Sequence, residues 1–309
     1  MKILLYPIAL ALLLLVSATE QTAAQQVTDF QKALDEATEA VGDHRRFEEK
    51  IAFLLTLFPQ APDGYYIVDG DIAMTDVEIK QMVRDRQAEL KGAKAWPDSA
   101  RQGELIVITV GGLPSCYRTD AQRRLTYAVD KNSFASAPKP DAYQNIITEL
   151  DEATDDWERA CPECNIKFER LPITSPVQGE ANFIVKYIGN QGSLIARAFF
   201  PLDPPSKRYV QITSGYYSGD YDRVGILRHE LGHTLGYRHE HIRPEAPVNC
   251  AFSTESKKWV RINMGKYDKN SVMHYPCELS GQLAAGSYDF KLTTVDKASH
   301  TKFYVDICR

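Results

Sequence analysis

The chain has 309 residues, of which 44% are hydrophobic and 25% are charged, and its formal net charge at pH 7 is −5. These proportions are those of an average soluble globular protein, and the length allows one large domain or two ordinary ones. A mild negative charge gives no reason to expect nucleic acid or an anionic membrane as a partner, because binding of either class usually needs a basic patch.

The first 24 residues have the pattern of a secretory signal peptide. Lys2 supplies a positive start, residues 3–16 are almost entirely apolar, and Ala18 and Ala24 offer small residues for cleavage. The apolar run is short for a membrane span and no second run follows, so a signal peptide is favoured over an uncleaved anchor. We therefore expect a secreted protein, extracellular or periplasmic, with no membrane contact once the signal is removed.

Residues 25–112 predict a first, mainly helical segment. Its pattern predicts a helical stretch over 28–58, a strand over 65–74 broken at Gly70, and a helix that Thr75 caps and that ends near Leu90. Residues 91–102 are loose in composition. Together with Gly111, Gly112 and Pro114 they predict a boundary zone.

Residues 113–309 predict a mixed α and β organisation. The strand candidates are short, rich in β-branched and aromatic residues, and separated by Pro, Gly and Asn. The predicted strands cover 125–129, 166–171, 183–188, 194–200 and 209–213, and the predicted helices cover 141–160, 222–235 and 295–305. Between the last two helices the pattern is irregular.

Cysteine usage agrees with export. Six cysteines follow the signal peptide, namely Cys116, Cys161, Cys164, Cys250, Cys277 and Cys308. An even number in an exported chain predicts three disulfides. The Cys-x-x-Cys pair at 161 and 164 has the spacing of half a zinc site, but no second pair completes it.

The strongest chemical signal is the run that contains His229, Glu230, His233, Gly236 and His239. His229 and His233 are four residues apart, so on a helix they share one face and can bind one metal ion. Glu230 is placed beside them as a general base. Gly236 can adopt the left-handed conformation that ends a helix, which lets the chain turn and bring His239 to the same metal. Three His leave an open position, as in a catalytic zinc site.

This extended motif resembles the metzincin clan of zinc peptidases, and Ser-Val-Met-His-Tyr at 271–275 resembles the Met-turn of the astacin family within that clan. The chain is identified as a divergent, bacterial-type relative of the astacins. By resemblance, Met273 packs beneath a single catalytic zinc ion. Tyr275 is implied to be an additional, displaceable zinc ligand that can also stabilise the oxyanion.

The resemblance implies an α+β metzincin fold over 113–309. An upper subdomain holds a five-stranded mixed sheet, the long helix and the zinc helix, and a small irregular C-terminal subdomain completes the substrate cleft. The implied reaction is hydrolysis of internal peptide bonds, with a protein or peptide substrate pairing along the edge strand at 194–200. We expect a monomer. The loop at 280–291 offers Lys291 as a selector for acidic side chains, although an exposed Lys is more often only solvated.

The segment at 25–112 is expected to be an inhibitory pro-segment. Asp-Gly-Asp-Ile at 69–72 resembles the zymogen segments of astacin-like enzymes, in which an Asp after a Gly binds the zinc. Asp71 is the implied switch ligand, and an activating protease is the implied partner. A plain turn is the alternative, because Asp-Gly is a common turn dipeptide.

The resemblance also implies one disulfide. In the family a Cys at the position of Cys164 bonds a C-terminal Cys, which gives Cys164–Cys308 here. Cys250–Cys277 and Cys116–Cys161 would then remain, although six cysteines permit fifteen connectivities.

Three rival functions stay open at this stage. The first is a non-catalytic zinc-binding domain that recognises peptides or glycans, which the presence of Glu230 disfavours. The second is another metzincin family, which Tyr275 disfavours. The third makes residues 25–112 a binding or chaperone module, and an untrimmed protein that is already active would reveal it.

Overall fold

A computed structural model describes residues 29–61, 64–91, 105–110, 113–219, 221–243, 245–247, 250, 261–263, 266–279 and 282–309. The predicted signal peptide and most of the predicted boundary zone at 91–102 lie outside these residues. Within the described ranges, no helix is both long enough and apolar enough to cross a bilayer.

The secondary structure follows in chain order. Helices α1 to α8 span 29–39, His44–Thr56, Asp76–Leu90, Asp120–Arg123, Lys131–Phe134, Ala142–Ala160, Arg223–Thr234 and Thr294–Lys302. Strands β1 to β13 span Tyr66–Asp69, Ile72–Met74, Ile106–Val110, Leu113–Pro114, Arg124–Val129, Lys167–Arg170, Phe183–Tyr187, Ala196–Arg197, Tyr209–Ile212, Tyr237–Arg238, Arg261–Asn263, Cys277–Leu279 and Gln282–Ala285. Short 3-10 turns lie at Ala40–Gly42, Pro162–Cys164, Pro205–Lys207, Ser214–Tyr217 and Glu240–Ile242, and a π-helical turn at Phe303–Ile307 follows α8.

A five-stranded mixed sheet organises the C-terminal part, in the order β6-β5-β7-β9-β8. Strands β6, β5, β7 and β9 are parallel to one another, and β8 runs antiparallel to β9 at the edge. The mixed sheet expected from the sequence is confirmed. Only Ala196–Arg197 of the expected edge strand at 194–200 has strand geometry.

The long helix α6 and the zinc helix α7 pack against each other in the main hydrophobic core. Ile146, Leu150 and Trp157 recur at helical spacing on α6 and are fully buried. The Trp157 indole N–H donates a hydrogen bond to the carbonyl of Arg228 on α7 at 2.9 Å. Truncating a buried Trp of this kind costs about 3–5 kcal/mol, so this contact fixes the two helices strongly.

Residues 29–91 build a second hydrophobic cluster of their own, from α1, α2, α3 and the β1–β2 hairpin. Its members include Phe30, Leu34, Phe47, Ile51, Leu54, Phe58, Ile79 and Val83. Ile108 on β3 and Phe200, which lie outside residues 29–91, complete this cluster. The N-terminal segment is therefore a folded body with a hydrophobic core that extends to Ile108 and Phe200.

The helical stretch predicted over 28–58 is broken in the structure. A 3-10 turn at Ala40–Gly42 separates α1 from α2. Asp43 then caps α2, because its side chain accepts a hydrogen bond from the backbone N–H of Arg46 at 3.1 Å. The strand predicted over 65–74 is a hairpin with Gly70 in its turn.

Several short strands were missed in the regions expected to be loose or irregular. β3 pairs with β10 and β11, and β12 pairs with β13. Strands of two to five residues carry too little alternation to be recognised. β3 lies before residue 112 yet pairs with strands of the C-terminal part, and the boundary at 112 stays a prediction.

The disulfides are Cys116–Cys308, Cys161–Cys164 and Cys250–Cys277. The pairing Cys250–Cys277 is confirmed, whereas Cys164–Cys308 and Cys116–Cys161 are wrong. A 3-10 turn at Pro162–Cys164 brings the Cα atoms of Cys161 and Cys164 to 5.3 Å, within bonding range. Cys164 and Cys308 are nevertheless near each other in space, since the Arg123 guanidinium donates hydrogen bonds to the backbone carbonyls of both.

Candidate metal centre

Helix α7 presents two of the histidines. Asp222 caps the helix by accepting a hydrogen bond from the N–H of Val224. The helix ends at Thr234, and Gly236 has a φ of +100°. A Cβ on Gly236 would lie 2.2 Å from the carbonyl oxygen of Ser115, so only glycine fits this turn. The chain then reverses and carries His239 back towards the helix.

Three imidazoles and one carboxylate converge at a buried point. His233 Nε2 and His239 Nε2 are 3.1 Å apart. Asp71 Oδ1 lies 3.0 Å from His239 Nε2 and 3.4 Å from His233 Nε2, and Asp71 Oδ2 lies 3.4 Å from His229 Nε2. The four ligand atoms all lie within 4.8 Å of one another.

Backbone carbonyls orient two of the rings. His229 Nδ1 donates to the carbonyl of Val272, and His233 Nδ1 donates to the carbonyl of Tyr237, both at 2.7 Å. A proton on Nδ1 leaves the lone pair on Nε2, which faces the centre. This carbonyl contact is the usual outer support of a metal-bound histidine.

The arrangement fits a zinc ion. Four ligands at about 2.0–2.1 Å in a tetrahedron lie about 3.3 Å from one another, close to the separations observed. The Nε2 atoms of His233 and His239, 3.1 Å apart, are close enough to bind one cation together. Within the described part of the chain, His229 Nε2 and Asp71 Oδ1 have no hydrogen-bond partner. The donor set of three His and one carboxylate is one that zinc prefers.

Electrostatics distinguish the two acidic residues at the centre. Burial alone raises the pKa of Asp71, but the contacts with His233 and His229 outweigh it and hold that pKa below its usual value. Burial, followed by the charge of Asp71, raises the pKa of Glu230 well above its usual value. Asp71 is thus stabilised as a carboxylate at the centre, whereas Glu230 is buried beside it without a cationic partner in the described structure.

The segment 271–275 lies directly beneath and beside the histidines. Met273 is fully buried, and a Cβ on Gly232 would lie 2.3 Å from its sulfur, so the zinc helix and the Met-turn are in close contact. The ring of Tyr275 stacks on His229 with centroids 5.2 Å apart and lies 4.4 Å from the ring of His239.

Asp296 supports this turn and was missed in the sequence. Its carboxylate accepts hydrogen bonds from the Ser271 hydroxyl at 2.6 Å and the Val272 N–H at 2.9 Å. The Val272 carbonyl in turn orients His229. Thr293 and Asp296 also form a capping box that starts α8. The capping box can be recognised in the sequence as the start of a helix, but it does not indicate that Asp296 supports the metal centre.

The β1–β2 hairpin delivers Asp71 to the imidazoles. Gly70 turns the chain with a φ of +39°, and a Cβ there would lie 2.8 Å from the hydroxyl oxygen of Tyr275. The absence of a side chain at 70 therefore allows the hairpin tip to pass the tyrosine. Asp71 itself is only 5% exposed.

A cavity of about 240 Å³ opens beside His229 and Glu230. Tyr221, Ile226 and Phe290 give it an apolar wall. These three residues were not singled out in the sequence, because isolated apolar positions carry no sign of a cleft. Lys291, suggested there as a selector, is not among the lining residues; its side chain is 72% exposed and pairs with Asp289 at 3.3 Å.

Comparison with known proteins gives one family match. The family model described as a dual-action HEIGH metallo-peptidase matches residues 104–255. The matched stretch holds all three histidines and Glu230 and begins after the N-terminal segment at 29–91.

Curated relatives match over shorter stretches. The dorsal-ventral patterning protein tolloid of Drosophila melanogaster is 34% identical over 67 residues, which is 18% of this chain and 6% of tolloid. The zinc metalloproteinase nas-2 of Caenorhabditis elegans is 44% identical over 57 residues, which is 16% of this chain and 20% of nas-2. The chain thus spans only a small part of the length of these relatives.

Among solved structures, myroilysin aligns with a TM-score of 0.41 and 15% sequence identity. The alignment covers 62% of this chain and 95% of the myroilysin chain.

Proposed function

We propose that this chain, an astacin-like zinc metallopeptidase of the metzincin clan, is a secreted endopeptidase that is made as an inactive zymogen. The observation that carries the proposal is the convergence of Asp71 on the three imidazoles of the metal centre. A carboxylate at that point fills the position that a catalytic zinc site keeps open. Removal of the N-terminal segment then frees the site.

His229, His233 and His239 hold one zinc ion in this proposal. When bound, the zinc acts as a Lewis acid that polarises the scissile carbonyl and lowers the pKa of water towards neutrality. Glu230 lines the cleft cavity and accepts the proton of the attacking water. It then donates that proton to the nitrogen of the leaving amine, so the hydroxyl ends on the carbonyl carbon and the C–N bond breaks.

Tyr275 completes the site. Its ring lies against His229 and His239, and its hydroxyl is next to the hairpin tip at Gly70. Once the hairpin leaves, this hydroxyl donates a hydrogen bond to the oxyanion that develops on the scissile carbonyl. In the trimmed enzyme without substrate, the same hydroxyl would serve as an additional, displaceable ligand of the zinc.

The substrate is an extended protein or peptide segment. The edge strand β8 offers backbone groups for pairing beside the cavity. The apolar wall of Tyr221, Ile226 and Phe290 receives an apolar side chain next to the scissile bond.

The experiment compares intact protein with protein trimmed by limited proteolysis, using hydrolysis of casein and of a quenched peptide. Wild type and Glu230→Gln are compared, and zinc is measured in each. We expect wild type to hydrolyse the substrates only after trimming. Trimmed Glu230→Gln should hydrolyse them at least about 100-fold more slowly than trimmed wild type, and wild type and Glu230→Gln should each bind one zinc per chain. The control is Glu180→Gln, which removes an exposed acidic side chain far from the site.

Bound zinc without hydrolysis of any substrate, before or after trimming, would instead favour the non-catalytic recognition domain. Full activity in the intact protein would refute the inhibitory role of residues 25–112.

A further inference from the structure

Asp203 lies where the N-terminal segment at 29–91 meets the rest of the chain. It is half-buried and borders two cavities at this contact, with volumes of about 180 Å³ and about 170 Å³. Helix α3 supplies Glu78 and Met82 to the wall of the first cavity, and Tyr65 from the same segment lines the second. The segment therefore forms part of the enclosure of Asp203, and its departure would open that enclosure to water.

The turn that holds Asp203 also carries an apolar contact with the segment. Asp203 Oδ2 accepts a hydrogen bond from the Phe200 N–H at 2.7 Å, and the Asp203 N–H donates to the Phe200 carbonyl at 2.9 Å. The Phe200 side chain is buried in the hydrophobic cluster of the segment, and its ring centroid lies 5.6 Å from that of His233 at the metal centre. The Asp203 carboxyl is thus fixed beside a side chain that contacts both the segment and the metal centre.

Glu78 on α3 places a second carboxyl group at this contact. It accepts hydrogen bonds from both the N–H and the hydroxyl of Thr75 at 2.7 Å, which fixes its orientation at the start of the helix. Lys207 Nζ donates to Glu78 Oε2, also at 2.7 Å. Two carboxyl groups, one from each side of the contact, therefore line the same cavity, and the ammonium group of Lys207 is bound to the one on the segment.

The other charged and titratable groups around Asp203 belong to the elements that line the two cavities. They are Asp85 on α3, Tyr65 before β1, Tyr117 after β4, Lys186 on β7, Arg197 on β8, Tyr209 on β9, and Lys207 and Arg208 just before β9. The Tyr65 ring lies 5.2 Å from Lys207 and 5.6 Å from Arg197, and Lys186 Nζ lies 3.7 Å from the centroid of Tyr209. Arg208 donates to the backbone carbonyl of Asp203 at 2.9 Å. Within the described part of the chain, no cation forms an ion pair with the Asp203 carboxyl group.

This environment favours the neutral form of Asp203. Burial raises the pKa of Asp203 to about 6, and the negative charge of Glu78 acts in the same direction. The Phe200 N–H and the cations Lys207 and Arg208 oppose this rise.

The sign of the effect on docking follows from linkage. An aspartate in water has a pKa of about 3.9, so departure of the segment lowers the pKa of Asp203 towards that value. Between about pH 4 and pH 6 the docked state therefore binds a proton that the open state lacks. That proton favours docking, and its contribution is lost as the pH rises through about 6.

We propose that Asp203 and Glu78 form a pH-dependent latch, which holds the N-terminal segment on the metal centre at acidic pH and loosens it towards neutral pH. When Asp203 is protonated, only one of the two carboxyl groups at the contact is charged. When Asp203 ionises, two negative charges lie at a contact that is partly shielded from water, so the segment opens more often and is more easily removed. The inference rests on the proposed zymogen function and adds to it a condition for release.

Hydrogen exchange of the untrimmed, full-length protein tests the latch. The opening equilibrium of the β1–β2 hairpin is obtained from amide exchange at pH 5 and pH 7, after correction for the intrinsic exchange rate at each pH. The readout is the ratio of opening at pH 7 to opening at pH 5. We expect this ratio to be about threefold to tenfold larger in wild type than in Asp203→Asn, because the variant has no group that ionises at this position. Any pH effect of the metal ligands is common to both proteins and cancels in the comparison.

Two further variants sharpen the test. Asp155→Asn removes an acidic side chain on α6 that is 64% exposed, and it should keep the wild-type ratio. Glu78→Gln keeps Asp203 but removes the neighbouring negative charge, so its ratio should lie between those of wild type and Asp203→Asn.

Equal ratios in wild type and Asp203→Asn would overturn the latch and leave the peptidase and zymogen proposals standing. If circular dichroism shows that Asp203→Asn does not fold, Glu78→Gln decides, and a ratio equal to that of wild type would overturn the latch. Failure of the trimmed protein to cleave casein or any peptide is a separate result, which would overturn the proposed function but not the pH dependence of docking.

Discussion

At the scale of single residues, the convergence of the three histidines was the most predictable feature of the molecule. The spacing of His229, His233 and His239 is set by helix geometry and by one glycine turn, so local sequence is enough to bring them together. Phe290 and Asp296 come to the same centre through tertiary packing, and no local pattern marks them as part of that centre. Asp71 is intermediate in predictability. The turn that contains it can be predicted from the local sequence, but its position beside the histidines depends on the folded N-terminal segment.

His300 gives a prediction at this scale that is independent of the metal ligands. It is fully buried on α8, with Nδ1 2.7 Å from the Tyr237 hydroxyl and its ring against Trp157 and Tyr304. Burial, and then the charge of Arg123, lower the pKa of His300 to about 3. The native state therefore keeps His300 neutral at pH values where the unfolded chain protonates it.

The sign of the pH effect follows. The free energy of unfolding keeps the full contribution of His300 above pH 6.5 and loses it as the pH falls from 6.5 towards 3, by about 1.4 kcal/mol per pH unit. In His300→Gln that slope should be shallower, by an amount that approaches about one proton as the pH falls to 5, measured by urea unfolding of the trimmed protein between pH 5 and 7. Equal slopes in wild type and His300→Gln would contradict the argument.

At the scale of elements, the long helix and the parallel strands were predictable because their periodicity extends over enough residues. The 19-residue helix α6 was placed within one residue at its start. The two- and three-residue strands β4, β10 and β11 were not predictable, because they exist only where another segment pairs with them. The disulfides show the same limit. Cys164 bonds Cys161 rather than Cys308 because a 3-10 turn brings Cys161 and Cys164 together, and the spacing of the cysteines alone does not reveal that turn.

The contact between α7 and the Met-turn gives a prediction about these elements. A glycine inside an exposed helix costs about 1 kcal/mol relative to alanine, so Gly→Ala usually stabilises. At Gly232 a Cβ would lie 2.3 Å from the Met273 sulfur and 3.3 Å from the Trp157 ring. We expect Gly232→Ala to lower the free energy of unfolding by about 1–3 kcal/mol through overpacking.

Chemical unfolding of Gly232→Ala and of the double variant Gly232→Ala with Met273→Ala is the measurement. The smaller side chain at 273 makes room for the methyl group, so adding Gly232→Ala to Met273→Ala should cost less than adding it to wild type. A Gly232→Ala protein as stable as wild type would show that the helix and the turn are not in tight contact.

At the scale of the whole molecule, two hydrophobic clusters meet through Ile108, Phe200 and the Asp71 hairpin. The sequence predicted two bodies from their different periodicities. Apart from Asp71, it did not predict how the first is attached, because the contact surface is built from residues far apart in the chain.

The disulfides should differ in their effect on the whole chain. Cys116–Cys308 spans 192 residues, and Cys161–Cys164 spans three. In the chain-entropy account, the long loop stabilises by about 5 kcal/mol and the short loop by about 2 kcal/mol. The double variant Cys116→Ser with Cys308→Ser should thus lose more stability in thermal unfolding than Cys161→Ser with Cys164→Ser. Peptide mapping of the native protein that found Cys164 bonded to Cys308 would contradict the connectivity itself.

The central claim is that Asp71 blocks a competent peptidase site, and hydrolysis of a quenched peptide by untrimmed protein tests it most directly. Wild type is compared with Asp71→Ala and with Asp76→Ala, a control acid on the same segment that pairs only with Lys80 among the described residues. We predict that untrimmed Asp71→Ala hydrolyses the peptide at least about 10-fold faster than untrimmed wild type, because the fourth position is open to water. Untrimmed Asp76→Ala should stay as inactive as wild type. An untrimmed Asp71→Ala protein that binds zinc and remains inactive, while trimmed wild type is active, would contradict the claim.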